Sequence, residues 1–407
     1  MVNTPPHLAR LREIPSGVWA LGFVSLLMDI SSEMIHALLP VYLVTVLATS
    51  MVTVGIIEGI AEATASIVKV FSGAISDRLG KRKLLAVIGY GLAAFTKPVV
   101  PLASSVGWLV AARFIDRIGK GIRGAPRDAL MADIAPGHLR GASFGLRQSL
   151  DTIGAFVGPG LAIGLMWLTA SNFQAVFWIA VIPAFLSVGL ILFAVREPAR
   201  PGGLRKVRSP LSRAELKQLG PPYWWVVGFA TVFALARFSE AFLILRAQAA
   251  GLPIVLIPLV LVVMNIVYAL AAYPAGVLSD RFNRLTMLMM GFAFLIAADI
   301  VLAISGGLAG VTAGIILWGL HMGFTQGLLA TLIADTAPPE LRGTAYGIFN
   351  LLGGLALLIA SVLAGALWDS FSPRATFLAG GGFTAVALLG LAIVRRYVPN
   401  LGASHKS

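Results

Sequence analysis

The sequence predicts an all-α membrane protein of about twelve spans, and three observations carry that expectation. Only 12% of the 407 residues are charged while 58% are hydrophobic. Apolar runs of about 20 residues recur along the whole length, each long enough to cross roughly 30 Å of hydrocarbon as a helix. The runs are apolar all round rather than striped on one face, which separates a lipid-facing span from a helix on the surface of a soluble domain.

Breaking the chain at polar or Gly/Pro-rich stretches places the spans at 17–47, 51–72, 84–104, 107–132, 143–168, 173–195, 222–247, 253–277, 285–304, 309–334, 344–367 and 374–397. The first apolar run begins after Ile14 and continues to about Leu47. It is longer than the apolar core of a cleaved signal, so it is read as a retained first span. Every second connection is basic: Arg10 and Arg12, then Lys81, Arg82 and Lys83, Arg140, the stretch Arg196 to Lys217, Arg281 and Arg284, Arg342, and Arg395 with Arg396. The turns between them, near Thr49, Ser105, Ala170 and Ser305, carry almost no Lys or Arg. Basic loops stay on the cytoplasmic side, so both termini are expected there. Trp224 and Trp225, at the start of span 7, suit an interfacial belt.

Composition excludes several classes. There is no cysteine, which removes disulfide frameworks, thiolate metal sites and cysteine nucleophiles. The net charge of +13 follows from the loop asymmetry together with bases inside the spans, so nucleic acid is not needed as a partner. No glycine run follows a strand in the pattern that cradles phosphates, and no cofactor is expected. No nucleophile and base constellation suggests an enzyme.

The halves repeat. "SGAISDRLGKRK" aligns with "AGVLSDRFNRL", and "MADIAPGHLRGASFGL" with "IADTAPPELRGTAYGI", the latter at an offset of 202 from Asp133 to Asp335 and from Arg140 to Arg342. Two separate segments at nearly one offset indicate a six-plus-six tandem duplication. The expected domains are 1–196, a polar linker at 197–221, and 222–407, with a site on the interface of the halves near the bilayer midplane.

At these residues the sequence resembles the major facilitator superfamily, over essentially its full length. Gly73-x-x-x-Asp77-Arg78-x-Gly80-Lys81 matches the family's loop between helices 2 and 3, and Gly276-x-x-x-Asp280-Arg281 is its degenerate copy between helices 8 and 9. Ala132 to Gly141 looks like the loop between helices 4 and 5. Gly154-Ala-Phe-Val-Gly158-Pro159 is similar to the Gly-x-x-x-Gly-Pro motif of proton-coupled efflux antiporters, departing from it at Gly160-Leu161. Arg117-Ile-Gly-Lys120-Gly121 resembles their Arg-x-x-Gln-Gly motif, with Lys120 in place of the amide.

The resemblance implies two six-helix bundles related by pseudo-twofold symmetry, in a bacterial inner membrane, working as a monomer. It implies alternating access, with proton-coupled export of a small organic molecule as the leading expectation. A symporter or facilitator importing an organic anion, with Arg117, Arg123 and Arg147 as counter-ions, is the alternative. A metal-ion transporter and a non-transporting sensor are lesser ones. Asp77, at the end of a helix, is expected to accept hydrogen bonds from a neighbouring helix N-terminus as a gate latch, with Arg127 on span 4 grouped with that gate.

Charges inside spans are the candidate site, because each costs roughly 2.5–3.5 kcal/mol at the bilayer centre and must face a cavity or a partner. Asp29, Glu33 and His36 share one face of span 1. Glu58, Glu62 and Lys69 fall within about 40° on span 2, and Arg113, Asp116, Arg117, Lys120, Arg123 and Arg127 within roughly 120° on span 4. Arg147 and Asp151 stack at i, i+4 on span 5. Seven acids (Asp29, Glu33, Glu58, Glu62, Asp116, Asp128, Asp151) face seven bases (Lys69, Arg113, Arg117, Lys120, Arg123, Arg127, Arg147) in the first half.

The second half is sparser: Arg237 and Glu240 at i, i+3, then Asn265, Asp299, His321, Gln326 and Asn350. The asymmetry assigns proton or ion coupling to the first half and substrate shape to the second. Asp29 and Glu33 are either buried partners of arginines or protonatable coupling groups. The isolated His36 and His321 are read chiefly as hydrogen-bonded structural residues. Asp29, Glu33 and His36 have hard-metal ligand character, but no metal site is assigned.

Overall fold

The computed structural model describes residues 13–79, 81–198, 216, 218–281, 283–338 and 341–397. The gate expected at Gly73, Asp77, Arg78, Gly80, Asp280 and Arg281 lies outside the described side chains, as do most of the linker and both chain ends.

Among the described residues the chain forms twelve long helical segments: α1 (Ser16–His36, resuming as Leu39–Thr45), α2 (Met51–Leu79), α3 (Arg82–Thr96, resuming as Val99–Leu102), α4 (Val106–Ile134), α5 (Arg140–Leu168), α6 (Phe173–Ala194), α7 (Pro221–Ala236, resuming as Ala241–Ala249), α8 (Leu259–Arg281), α9 (Arg284–Ile304), α10 (Leu308–Thr336), α11 (Arg342–Ser370) and α12 (Pro373–Tyr397). Each predicted span has its helix. Eleven are long and apolar enough to cross a membrane, and α4 is the exception. Its run Arg113, Asp116, Arg117, Lys120 and Arg123 leaves too little continuous apolar length for that test.

Three spans expected to be continuous are interrupted, for physical reasons that differ. Pro40 has no N–H to give the carbonyl of His36, and Pro98 none for Ala94; α1 and α3 break just before them. In α7 no proline is involved. There the N–H of Ser239 leaves the helix to donate to Ser361 Oγ at 3.1 Å, and Ser239 Oγ accepts from the N–H of Ala241 at 3.2 Å where the helix resumes. Side-chain hydroxyls thus replace the backbone bonds that lipid could not.

The helices gather into two compact units. The first comprises residues 1–36 and 68–208, with a core of Val18, Leu21, Val24 and Met28 from α1 against Tyr90 and Ala93 of α3, Met131 of α4 and Ile191 of α6. Glu197, the first linker residue, caps α3 by accepting from the N–H of Arg82 at 2.7 Å and of Lys83 at 3.3 Å.

The second unit comprises residues 37–67 and 209–407, and its core holds an aromatic cluster of Phe238, Phe242, Trp318, Trp368 and Phe377. Within it α2 runs tightly against α11: a Cβ on Gly55 would lie 2.1 Å from the carbonyl oxygen of Ser361, and one on Gly365 2.3 Å from that of Met51. Asp369 of α11 closes the N-terminus of α2, accepting from Met51 N–H at 3.1 Å and Val52 N–H at 2.8 Å.

The repeat read from sequence reappears inside each unit. Arg82 pairs with Asp133 at 2.7 Å, and Arg284, at the same offset of 202, pairs with Asp335. Gly89 packs against Arg123 in one unit and Gly291 against Thr325 in the other.

Candidate functional site

Helix α4 turns Arg113, Asp116, Arg117 and Arg123 inward, each 6–7% exposed, while Phe114 and Ile115 on the opposite face are 42% and 40% exposed. The stripe predicted from helical spacing is therefore a buried one. Lys120 departs from it and is exposed. Asp116 is the stripe's one acid, and it holds Lys97 Nζ at 2.9 Å, with Arg117 Nε at 3.8 Å. Lys97 also donates to Ser32 Oγ at 3.0 Å. The break before Pro98 brings this lysine to 3% exposure.

Along the same unit, Arg113 Nη2 donates to His36 Nδ1 at 2.8 Å. Arg123 lies 4.9 Å from the centroid of the Tyr90 ring, a cation–π contact. Ser25 joins two members, with the Tyr90 hydroxyl at 3.1 Å and Arg127 Nη1 donating to it at 2.8 Å. Arg127 and Arg147 share Asp128, at 2.9 and 3.7 Å, and Arg147 Nη1 also donates to Asp151 Oδ2.

Asp29 sits half-buried in the field of Asp151, Arg123, Arg127 and Lys120. The two glycines of the α5 motif explain how α1 comes so close. A Cβ on Gly154 would lie 2.9 Å from Asp29 Cβ, and one on Gly158 2.8 Å from Glu33 Cβ. The acids predicted to share one face of α1 thus both rest on α5 at its glycines, beside Pro159 inside the helix. Gly160, two residues after Gly158, meets nothing within 4 Å among the described residues.

Several expectations need correction. Glu58 and Glu62 were counted with the acids of the first half, but their stretch of α2 belongs to the second unit. Lys97 was missing from the count of bases, although it is the ion-pair partner of Asp116. His321 is fully buried and, among the described residues, has no hydrogen-bond partner for either ring nitrogen, held edge-on by Phe233 and Trp318 at 5.7 Å each. Asp299, grouped by sequence with the polar residues of the second half, is 0% exposed, and among the described residues both its carboxylate oxygens lack a partner. The signal that could have found Lys97 is a Lys-Pro pair inside an otherwise apolar span.

In the second unit the break in α7 carries Arg237 and Glu240. Arg237 lines a cavity of about 190 Å³, together with Ser66, Thr231, Phe233, Phe349 and Asn350. Gln326 accepts from the Tyr268 hydroxyl at 3.4 Å. No group of three His, Cys, Asp or Glu able to hold a metal occurs among the described residues, and His36 Nδ1 is already engaged by Arg113.

Residues 21–361 match the Major Facilitator Superfamily. The chain is similar to the uncharacterized MFS-type transporter MJ1317 of Methanocaldococcus jannaschii, 32% identical over 94% of this chain and 96% of the other. It is similar to the multidrug resistance protein MdtH of Photorhabdus laumondii, 26% identical over 86% of each. Among solved structures it matches a bacterial homologue of the human lysosomal transporter Spinster with a TM-score of 0.76, 16% identity, and coverage of 99% of this chain and 100% of that one. With twelve helices, a duplicated six-helix plan and this match along most of its length, the chain belongs to the Major Facilitator Superfamily of secondary transporters.

Proposed function

We propose that the protein exports a small organic molecule in exchange for protons, by alternating access. One observation carries this reading: Asp29 and Glu33 are presented by α1 on the two motif glycines of α5, and Asp29 lies in the field of Arg123, Arg127, Lys120 and the further acid Asp151. An acid in low-dielectric surroundings changes its proton affinity when a cation approaches or withdraws. A helix that rocks against α5 would make and break that pairing. The Gly-x-x-x-Gly contact supplies a smooth surface for such motion. Each proton moving down a 100 mV potential provides about 2.3 kcal/mol.

Export is the direction supported by the resemblance of Gly154 to Pro159 to the antiporter motif and by the relative that is named for multidrug resistance. Import of an organic anion is the second reading, favoured by the cationic lining at Arg237. The basic loops read from the sequence support a cytoplasmic location for both termini.

The test uses everted membrane vesicles with an established pH gradient, reported by a quenched dye, to which a metabolite and drug panel is added. Export by antiport releases protons on addition of substrate, and Asp29→Asn or Glu33→Gln abolishes that release while the protein remains folded. Undiminished release in both variants removes the coupling role. Acidification in the opposite sense favours import.

A further inference from the structure

The two units place different chemistry at equivalent positions. At the repeat offset of 202, Arg127, Arg147, Gln148 and Asp151 of the first unit correspond to Leu329, Phe349, Asn350 and Gly353 of the second. The first set forms the ion cluster around Asp128. All four residues of the second set line the cavity. Loss of two guanidinium groups and a carboxylate has opened space where the other unit is filled by its own ion pairs.

Into that space the α7 break brings a single cation. Among the described lining residues Arg237 is the one that carries a charge. Glu240 is the charge that acts favourably on it, and His321 lies in its field. Its Nε is buried with no hydrogen-bond partner among the described residues. A guanidinium has five donors in a planar fork suited to a carboxylate, and Nε is one that remains to be taken up. Thr231, Asn350 and Ser66 add hydrogen-bonding groups, and Phe233 and Phe349 add rings. Phe233 is itself held rigidly, stacked on Phe292 with centroids 4.0 Å apart. The volume of about 190 Å³ lies below the roughly 300–1,000 Å³ of drug-sized pockets.

We propose that this cavity is an anion subsite, in which Arg237 takes the carboxylate of a small organic acid, the Asn350 amide orients it, and Phe233 and Phe349 flank its apolar body. This rests on the transport reading for its purpose but not for its chemistry. The substrate class is then a compact aromatic or aliphatic monocarboxylate.

The experiment is a thermal-shift and calorimetric titration of the purified full chain in detergent with acetate, hexanoate, benzoate and 1-naphthoate, against the neutral benzamide and the cationic benzylamine. The expected result is saturable stabilisation by benzoate or a near neighbour in size, and none by benzamide or benzylamine. Arg237→Gln should weaken that binding by roughly tenfold to a hundredfold. Asn350→Ala should weaken it less, and Arg237→Lys should retain part of it. No carboxylate-selective binding in the wild type, which needs no variant, overturns the proposal. So does unchanged benzoate affinity in folded Arg237→Gln. Proteoliposome counterflow separates the two readings. Carboxylate binding at Arg237 with no flux of any carboxylate that binds sinks the transport reading and leaves the site. Proton-driven flux of benzylamine unaffected by Arg237→Gln sinks the site and leaves the transporter.

Discussion

Neutralising one member of the Lys97–Asp116 pair should destabilise the protein, and the two single changes should differ in a set order. The side chains are 4% and 8% exposed and 2.9 Å apart. Breaking a buried pair by removing one partner costs about 3–5 kcal/mol, because a charge is left uncompensated. Asp116, however, is acted on by Lys97, Arg117, Arg113 and Arg123 together. In Lys97→Met three guanidinium groups still neutralise the carboxylate, so the cost should fall near about 3 kcal/mol or below. In Asp116→Asn four buried cations lose their common counter-ion, so the cost should reach about 5 kcal/mol. At about 2.1 cal/mol/K per residue of unfolding entropy, the 407-residue chain would lose at most about 3.5 °C in its thermal midpoint for Lys97→Met and about 6 °C for Asp116→Asn. The double variant Lys97→Met/Asp116→Asn should recover part of the Asp116→Asn loss, since the lysine no longer adds to the stranded positive charge. The assay is thermal unfolding in one detergent, arranged as a double-mutant cycle. Strictly additive losses, or a larger loss for Lys97→Met than for Asp116→Asn, would refute the reasoning.

Other outcomes follow from single contacts. Gly158→Ala puts a methyl 2.8 Å from Glu33 Cβ, so a loss of about 1–3 kcal/mol is expected; Gly160→Ala, which meets nothing, serves as the control in the same thermal assay. Asp369→Ala removes the acceptor for two N–H groups at the start of α2, which should cost about 1 kcal/mol and speed hydrogen exchange at Met51 and Val52 about fivefold. Unchanged exchange there would show that the cap contributes nothing. Asp299→Ala removes a carboxylate with both oxygens unpartnered, and should leave stability unchanged or raise it by about 1 kcal/mol. If such a variant is stable but transports poorly, Asp299 is retained for function, whereas a loss above about 1 kcal/mol would mean that its environment is more polar than the structure shows.

The sequence by itself determined the twelve helices, the duplicated plan and the family, because these rest on local length, hydropathy and spacing. It also determined which side chains share a helical face, as with Asp29 and Glu33 on α1 or Arg113, Asp116, Arg117 and Arg123 on α4, since 3.6 residues per turn is fixed by the backbone. Only the tertiary structure decided the partners. Lys97 lies well inside an apolar span of the sequence, and the helix break at Pro98 sets it beside Asp116. Glu58 and Glu62 lie in the first repeat by chain order but in the second unit by packing, because Gly55 and Gly365 let α2 and α11 touch backbone to backbone. The α7 break was not legible at all. It depends on the hydroxyl of Ser361, 122 residues away, accepting the N–H of Ser239, and a hydrogen bond between residues so far apart leaves no periodicity for a sequence to display.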